Sequence, residues 1–115
     1  MLTVSHFSKS YSGGKRAVDD LSFTAPRGTI TGFIGHNGAG KSTTLRCAAG
    51  ILDFSEGEIR IGGHDVRTEP VAAKSITAFL PDNPDLYDFM TVNQYLNFIA
   101  DIYSIPSAEC TRRVE

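Results

Sequence analysis

Residues Gly35-His36-Asn37-Gly38-Ala39-Gly40-Lys41-Ser42 fit the pattern G-x-x-x-x-G-K-[ST]. The fixed positions make sense as anion chemistry. A polyphosphate carries several negative charges and must be met by donors at close range. Glycines let the backbone wrap inward with its N–H groups converging, in conformations that a Cβ would forbid. Lys41 is spaced to reach the β- and γ-phosphates, and the Ser42 hydroxyl can ligate a Mg²⁺ that bridges them. A helix starting near Gly40 would aim its first N–H groups, and the positive end of its dipole, at the same anion. The competing reading, a glycine-rich turn that holds nothing, leaves Lys41 and the loop N–H groups without a task.

The flanking sequence supplies the elements such a loop requires. Thr29 to Ile34 is a short run with β-branched residues and reads as a buried strand leading into the loop. From Lys41 the residues favour a helix, with Gly50 placed as its C-terminal cap. Leu2 to Phe7 alternates apolar and polar residues and reads as a strand. Turn chemistry follows at Ser12-Gly13-Gly14, then a second strand over Ala17 to Thr24 with Val18, Leu21 and Phe23 supplying its apolar contacts. Glu58 to Ile61 and Ser75 to Leu80 read as further strands. Thr91-Val92-Asn93-Gln94 fits a capping box, and Val92, Tyr95, Leu96, Ile99 and Ile102 fall on one face of the helix it opens. Pro106 ends that helix, and another begins after Ser107. Strands and helices alternate after residue 29, the pattern of an α/β sheet with parallel strands.

Composition narrows the class. The chain has 115 residues, 41% hydrophobic and 21% charged, which fits one globular domain with one core. A net charge of -2 argues against a non-specific nucleic-acid binder. Lys15-Arg16 and Arg112-Arg113 read as solvated surface. No apolar run is long enough to span a bilayer and the start of the chain carries no apolar signal segment, so a soluble, cytosolic protein is expected. Cys47 and Cys110 form no metal-ligand pattern and read as free thiols. His6 and His64 have no Cys/His partners at ligand spacing. His36 occupies a variable position of the loop, beside the phosphates and without a catalytic task. Cys47, on the helix after the loop, reads as core.

Beyond the generic loop, Gly35 to Leu45 (GHNGAGKSTTL) resembles the phosphate loop, or Walker A motif, of the ATP-binding-cassette (ABC) ATPases. The surrounding order is similar too: the strand Leu2 to Phe7, the aromatic Tyr11, the strand Ala17 to Thr24, then Gly28-Thr29-Ile30-Thr31-Gly32. Downstream, Ala49-Gly50-Ile51-Leu52, Ser55-Glu56-Gly57-Glu58-Ile59 and Gly62-Gly63-His64-Asp65-Val66 resemble the family's "G-L-x-x-P-x-x-G-x-I-x-x-x-G-x-D-I". The resemblance runs from Leu2 to about Tyr103. It implies a P-loop NTPase core with an N-terminal antiparallel β subdomain, the residues from 91 to 115 opening a helical subdomain. It implies ATP and Mg²⁺ as ligands, held by Tyr11, Val18, Gly35, His36, Asn37, Gly38, Ala39, Gly40, Lys41, Ser42 and Thr43. Tyr11 would stack on adenine and Val18 would line the same slot; packing at a strand end is the other reading of Tyr11.

Leu80-Pro81-Asp82 stands where the family usually carries Pro-Gln. Asp82 in that place implies a Mg²⁺-side ligand with a catalytic part alongside Lys41, a carboxylate being a harder donor than an amide. A turn residue within Pro81-Asp82-Asn83-Pro84 is the alternative. Asp85 to Val92 resembles the corresponding segment of exporter ATPases of the small two-component type. That resemblance implies that Leu86, Tyr87, Phe89 and Met90 receive a membrane subunit; packing beneath the following helix fits them equally.

The family's "L-S-G-G-Q" signature, its Walker B strand with the catalytic glutamate, and its switch histidine do not occur in these residues. The chain is therefore expected to be the N-terminal part of a single ABC ATPase domain, truncated before those motifs, able to bind ATP but not to hydrolyse it alone. Without the Walker B strand beside it, Thr29 to Ile34 is expected to present an open strand edge. The implied function is an ATPase subunit coupling ATP binding and hydrolysis to export, with membrane transporter subunits and a second copy of the domain as partners, held at the inner face of the membrane through those subunits. A soluble ABC ATPase acting on ribosomes or DNA is the alternative.

Overall fold

The computed structural model describes residues 1–36, 38, 40–81 and 88–114. They fall into two compact units, Met1–Phe79 and Leu80–Glu115. In the first unit a four-stranded antiparallel sheet runs in the order β2-β1-β3-β4. Its strands are β1 (Leu2–Ser10), β2 (Arg16–Ala25), β3 (Glu56–Ile61) and β4 (His64–Asp65). The expected turn lies between β1 and β2, closed by Tyr11 N–H to the Lys15 carbonyl and Gly14 N–H to the Tyr11 carbonyl, both at 3.1 Å. Gly13 and Gly14 there take φ of +102° and +82°, conformations open chiefly to glycine.

The central strand β1 is bulged. Its pairing with β2 slips between Val4 and Phe7, at His6, and again between Phe7 and Lys9, opposite Asp20, and both residues adopt positive φ. Serine side chains satisfy backbone donors at the bulge: His6 N–H donates to Ser22 Oγ at 2.8 Å and Asp20 N–H to Ser8 Oγ at 2.9 Å. The bulge lets neighbouring Phe7 and Ser8 both be buried, which strict alternation would not allow. Phe7 meets Phe54 edge to face at 5.1 Å and 89°. Val4, Val18, Cys47, Ile59, Val66 and Ala73 complete the core, with Leu21 and Phe23 packed against it.

Helix α1 (Lys41–Ala48) covers this core with Thr44 and Cys47. Gly50 caps it as expected: Gly50 N–H reaches the Cys47 carbonyl at 3.2 Å and Ile51 N–H the Arg46 carbonyl at 2.9 Å, the paired bonds of a Schellman end. Gly50 takes φ +80°. Burial holds the Cys47 thiol above its ordinary pKa, although Lys9 pulls the other way. It is a protonated core residue, as its sequence position implies.

Two of the expected strands do not form. Residues 29–34 make no strand, and Ile30 and Ile34 are 104% and 95% exposed. After β2, Thr29 Oγ1 closes a turn onto the Pro26 carbonyl at 2.7 Å, and among the described residues no strand lies beside the segment that follows. A β-branched run has strand propensity, but strand structure requires a ladder partner. The expected edge is therefore an unpaired apolar segment. Hydrogen exchange checks this: amides of residues 30–34 should exchange nearly unprotected while Val4 and Ile59 exchange only with global opening. Comparable protection in both regions would contradict it.

Over residues 75–80 the expected strand does not form: a helix ends at Ser75 and residues 77–80 are irregular. Helix α2 (Pro70–Ser75) has Pro70 in its first turn, a start signal visible in the sequence. Its last carbonyls are taken by Thr77: the N–H reaches Lys74 at 3.2 Å and Oγ1 reaches Ala73 at 2.7 Å. No parallel strand pair forms among the described residues.

The second unit holds α3 (Val92–Ile102) and α4 (Ser107–Val114). The capping box forms as read: Gln94 N–H donates to Thr91 Oγ1 at 3.3 Å, and Thr91 N–H to Gln94 Oε1 at 2.9 Å. Helix α3 stops before Pro106, at a left-handed Ser104 whose N–H caps Asp101, with Ile105 N–H capping Ala100. Of the expected apolar face, Tyr95 and Ile99 are half-buried, whereas Val92, Leu96 and Ile102 remain exposed. Within the unit α4 packs on α3, with Cys110 Sγ donating to Asn97 Oδ1 at 3.4 Å.

Candidate functional site

The loop, the start of α1 and the β1–β2 end of the sheet converge in the first unit. Gly40 is the N-cap of α1, at φ +91°, and no side chain caps the helix. Its neighbours explain the glycine. A Cβ at Gly40 would stand 2.6 Å from the Ala17 carbonyl oxygen and 2.7 Å from Val18 Cγ2. The loop therefore lies directly against the residues at the start of β2. Thr44 locks the first turn, its N–H and Oγ1 both donating to the Gly40 carbonyl, at 2.9 and 2.8 Å.

Tyr11 reaches the same helix from the other side of the β1–β2 turn. Its hydroxyl shares a hydrogen bond with Thr43 Oγ1 at 3.0 Å. Val18 is buried next to Gly40, while Tyr11 keeps 44% of its surface exposed. The Lys41 ammonium donates to the Gly35 carbonyl, so the lysine closes back over the start of its own loop. Ser42 is exposed at the first turn of α1, and Gly35, His36 and Gly38 are exposed as well. Asn37, Ala39 and Asp82 lie outside the described residues.

The structure thus brings Tyr11, Val18, Gly40, Lys41 and Thr43 together. Sequence reading missed two contributors, Lys9 and Ala17. Lys9 stands over the Tyr11 ring, 5.6 Å from its centroid, and donates to the Asp53 carbonyl. Nothing local could signal that contact, because its partner is 44 residues away. Ala17 contributes a backbone carbonyl, which carries no sequence signature.

The arrangement can hold a polyphosphate. An uncapped helix N-terminus offers convergent N–H donors, Lys41 offers a cation, and the glycine at position 40 lets the backbone approach closely. Among the described residues no cluster of His, Cys, Asp or Glu could bind a metal unaided. One exposed serine hydroxyl suits Mg²⁺, which keeps most of its waters and takes further ligands from phosphate. The other histidines are paired on the surface, His6 Nδ1 with Asp20 Oδ1 at 2.8 Å and His64 Nδ1 with Glu69 Oε1 at 3.3 Å. In the second unit Phe89, Met90, Gln94, Asn97, Phe98 and Asp101 line an open hollow of about 470 Å³. Leu86 and Tyr87 lie outside the described residues. Among the described residues no helix is long and apolar enough to cross a membrane.

A nucleotide-type loop set against an antiparallel β subdomain defines the class, that of the P-loop ATPases. The sequence profile described as ABC transporter matches residues 18–115, and the chain belongs to that family. It is 34% identical to the ABC transporter ATP-binding protein NatA of Bacillus subtilis, over 100% of this chain and 48% of NatA. To the SkfA peptide export ATP-binding protein SkfE of the same organism it is 36% identical, over 99% of this chain and 46% of SkfE. A solved structure titled as an ATP binding subunit of an ABC transporter matches with a TM-score of 0.89 at 33% identity, over 97% of this chain and 46% of that one. The chain thus spans about half the length of these relatives.

Proposed function

We propose that these residues form the nucleotide-holding part of an ATPase subunit that drives an exporter. The observation that carries this is the meeting of Tyr11 and Val18 with the first turn of α1, through the Thr43 bond and the close approach of Gly40. A base slot and a phosphate cradle then share one wall, the first turn of α1.

In this reading the Tyr11 ring stacks on adenine and Val18 lines the slot. The backbone of Gly35, His36, Asn37, Gly38, Ala39 and Gly40 wraps the phosphates, and Thr43 donates beside them. Lys41 leaves the Gly35 carbonyl and turns its ammonium to the β- and γ-phosphates. Ser42, with Asp82, would hold Mg²⁺, which neutralises charge developing on the transferred phosphoryl group. Hydrolysis further needs a group that orients water, and the 115 residues are expected to bind ATP without steady turnover. Phe89, exposed, and Met90, half-buried, are candidates for receiving a membrane subunit, residues 91–115 open the helical subdomain, and a second copy of the domain completes the site. Export, rather than another task, is supported by the kinship with SkfE, whose name records peptide export.

Lys41→Ala tests the core of this reading. The ATP dissociation constant of the purified protein, measured by calorimetry with Mg²⁺, should rise at least tenfold, because a charge-assisted contact contributes about 1.5–3 kcal/mol. The thermal midpoint should stay unchanged, since the Lys41 ammonium bonds to the Gly35 carbonyl of its own loop and not to the core. Equal ATP affinity in the two proteins would sink the proposal.

A further inference from the structure

The Tyr11 ring is restrained from three directions, and stacking on a base alone would require none of them. The backbone of Tyr11 is fixed by both bonds of the β1–β2 turn, to Lys15 and Gly14. Its hydroxyl is held by Thr43 on α1. One ring face carries the Lys9 ammonium, 5.6 Å from the centroid, and that ammonium is itself anchored on the Asp53 carbonyl. Lys9 lies on β1, Thr43 on α1 and Asp53 on the segment before β3. Two elements thus meet this one side chain directly, and a third anchors the lysine over it, although the ring remains 44% exposed. Exposed aromatic side chains normally sample several rotamers, and fixing one costs conformational entropy when a ligand must do it.

We propose that Lys9 and the Tyr11–Thr43 hydrogen bond are positioning elements that preset the Tyr11 ring for a purine base, Lys9 covering one face so that the base stacks on the other. This rests on the nucleotide reading of the site and adds to it. The restraint has a direction. A cation over an aromatic face is attracted by the ring's negative quadrupole, so Lys9 stabilises the ring in place and makes its own face the poorer one for a second planar group. The Thr43 bond ties the ring to the helix that meets the phosphates. Base slot and phosphate cradle then keep a fixed separation, and the base-dependent share of the binding energy depends on residues that need not touch the base.

The test separates base from phosphate by comparing ATP with inorganic tripolyphosphate, both with Mg²⁺. Lys9→Met removes the cation and keeps an apolar stem. Tyr11→Phe keeps the ring and removes the hydroxyl. Lys9→Arg restores a cation able to lie on the ring and reach the Asp53 carbonyl. Expected are an ATP dissociation constant raised about threefold to fivefold in each of the first two variants, an unchanged tripolyphosphate constant, and recovery in Lys9→Arg. ATP and tripolyphosphate constants that move in parallel, or an ATP constant that does not move in either variant, would overturn the positioning role. Failure of the underlying reading has a different signature, wild-type binding of both ligands that is indifferent to Lys41→Ala. The thermal midpoints separate both outcomes from misfolding, since a partly unfolded variant loses both ligands together.

Discussion

Phe7→Ala should destabilise the Met1–Phe79 unit by about 3–5 kcal/mol, the largest loss expected of any single truncation in the chain. Phe7 is fully buried on the central strand, between β2 and β3. Its ring meets Phe54 edge to face, and Arg67 lies over the far partner, 4.6 Å from the Phe54 centroid. Arg67 also donates to the Gly57 carbonyl at 2.7 Å and to the Phe54 carbonyl at 3.4 Å, which ties Phe54 to the start of β3. Emptying the Phe7 site removes the ring's burial and leaves Phe54 facing a void that the sheet backbone cannot close. Natural domains of ordinary size have only about 5–15 kcal/mol to lose, so much of this unit's stability goes with one side chain. Urea denaturation followed by circular dichroism measures the change. A loss below 1 kcal/mol would mean that the sheet is not held together at Phe7. Phe54→Ala should cost less, because Phe54 sits at the margin of the same cluster, and the double variant should cost less than the sum of the two.

The bulge that places Phe7 marks where sequence reading reached and where it stopped. Alternation located β1, and glycine and capping chemistry located α1, its Schellman end at Gly50 and the Thr91–Gln94 box. Those are local signals, settled within a few residues. The double burial of Phe7 and Ser8 was not legible, because it depends on positive φ at His6 and Asp20, one on each strand of a pair. Nor was the fate of Thr29 to Ile34. Propensity names a segment that can become a strand, but a ladder requires a neighbour, and the described residues provide none. The Ser75–Leu80 stretch failed for a different reason: β-branched residues that read as a strand serve to end α2, with Thr77 capping carbonyls. At the site, Gly40 and Tyr11 were legible because the loop pattern and the family resemblance mark them. Lys9 and Ala17 were not, since one acts through a carbonyl far along the chain and the other through its own backbone.

Gly40→Ala should abolish detectable ATP binding and cost the first unit about 3 kcal/mol, from two effects that can be separated. The first is conformational. At φ +91° an L-residue is strained by about 1–2 kcal/mol. The second is steric: the new Cβ would meet Val18 Cγ2 at 2.7 Å and the Ala17 carbonyl oxygen at 2.6 Å, and no side-chain rotation relieves the contact with the backbone oxygen. Over-packing of this kind costs about 1–3 kcal/mol. Something must shift, and the element free to do so is the start of α1, because Ala17 lies in β2 between Arg16 and Val18, both paired with β1. Moving that turn carries the N–H groups of Lys41, Ser42 and Thr43 out of register with the base slot and breaks the Thr43–Tyr11 bond. Gly38→Ala is the control. Gly38 has φ +87°, nearly the same strain, but nothing lies within 4 Å of its Cβ position. It should lose about 1 kcal/mol of stability and retain measurable affinity, so the difference between the two variants isolates the clash. Calorimetric ATP titration together with thermal denaturation of both variants reads that difference. Equal affinity in Gly38→Ala and Gly40→Ala would show that the close approach to Ala17 and Val18 has no part in holding the triphosphate.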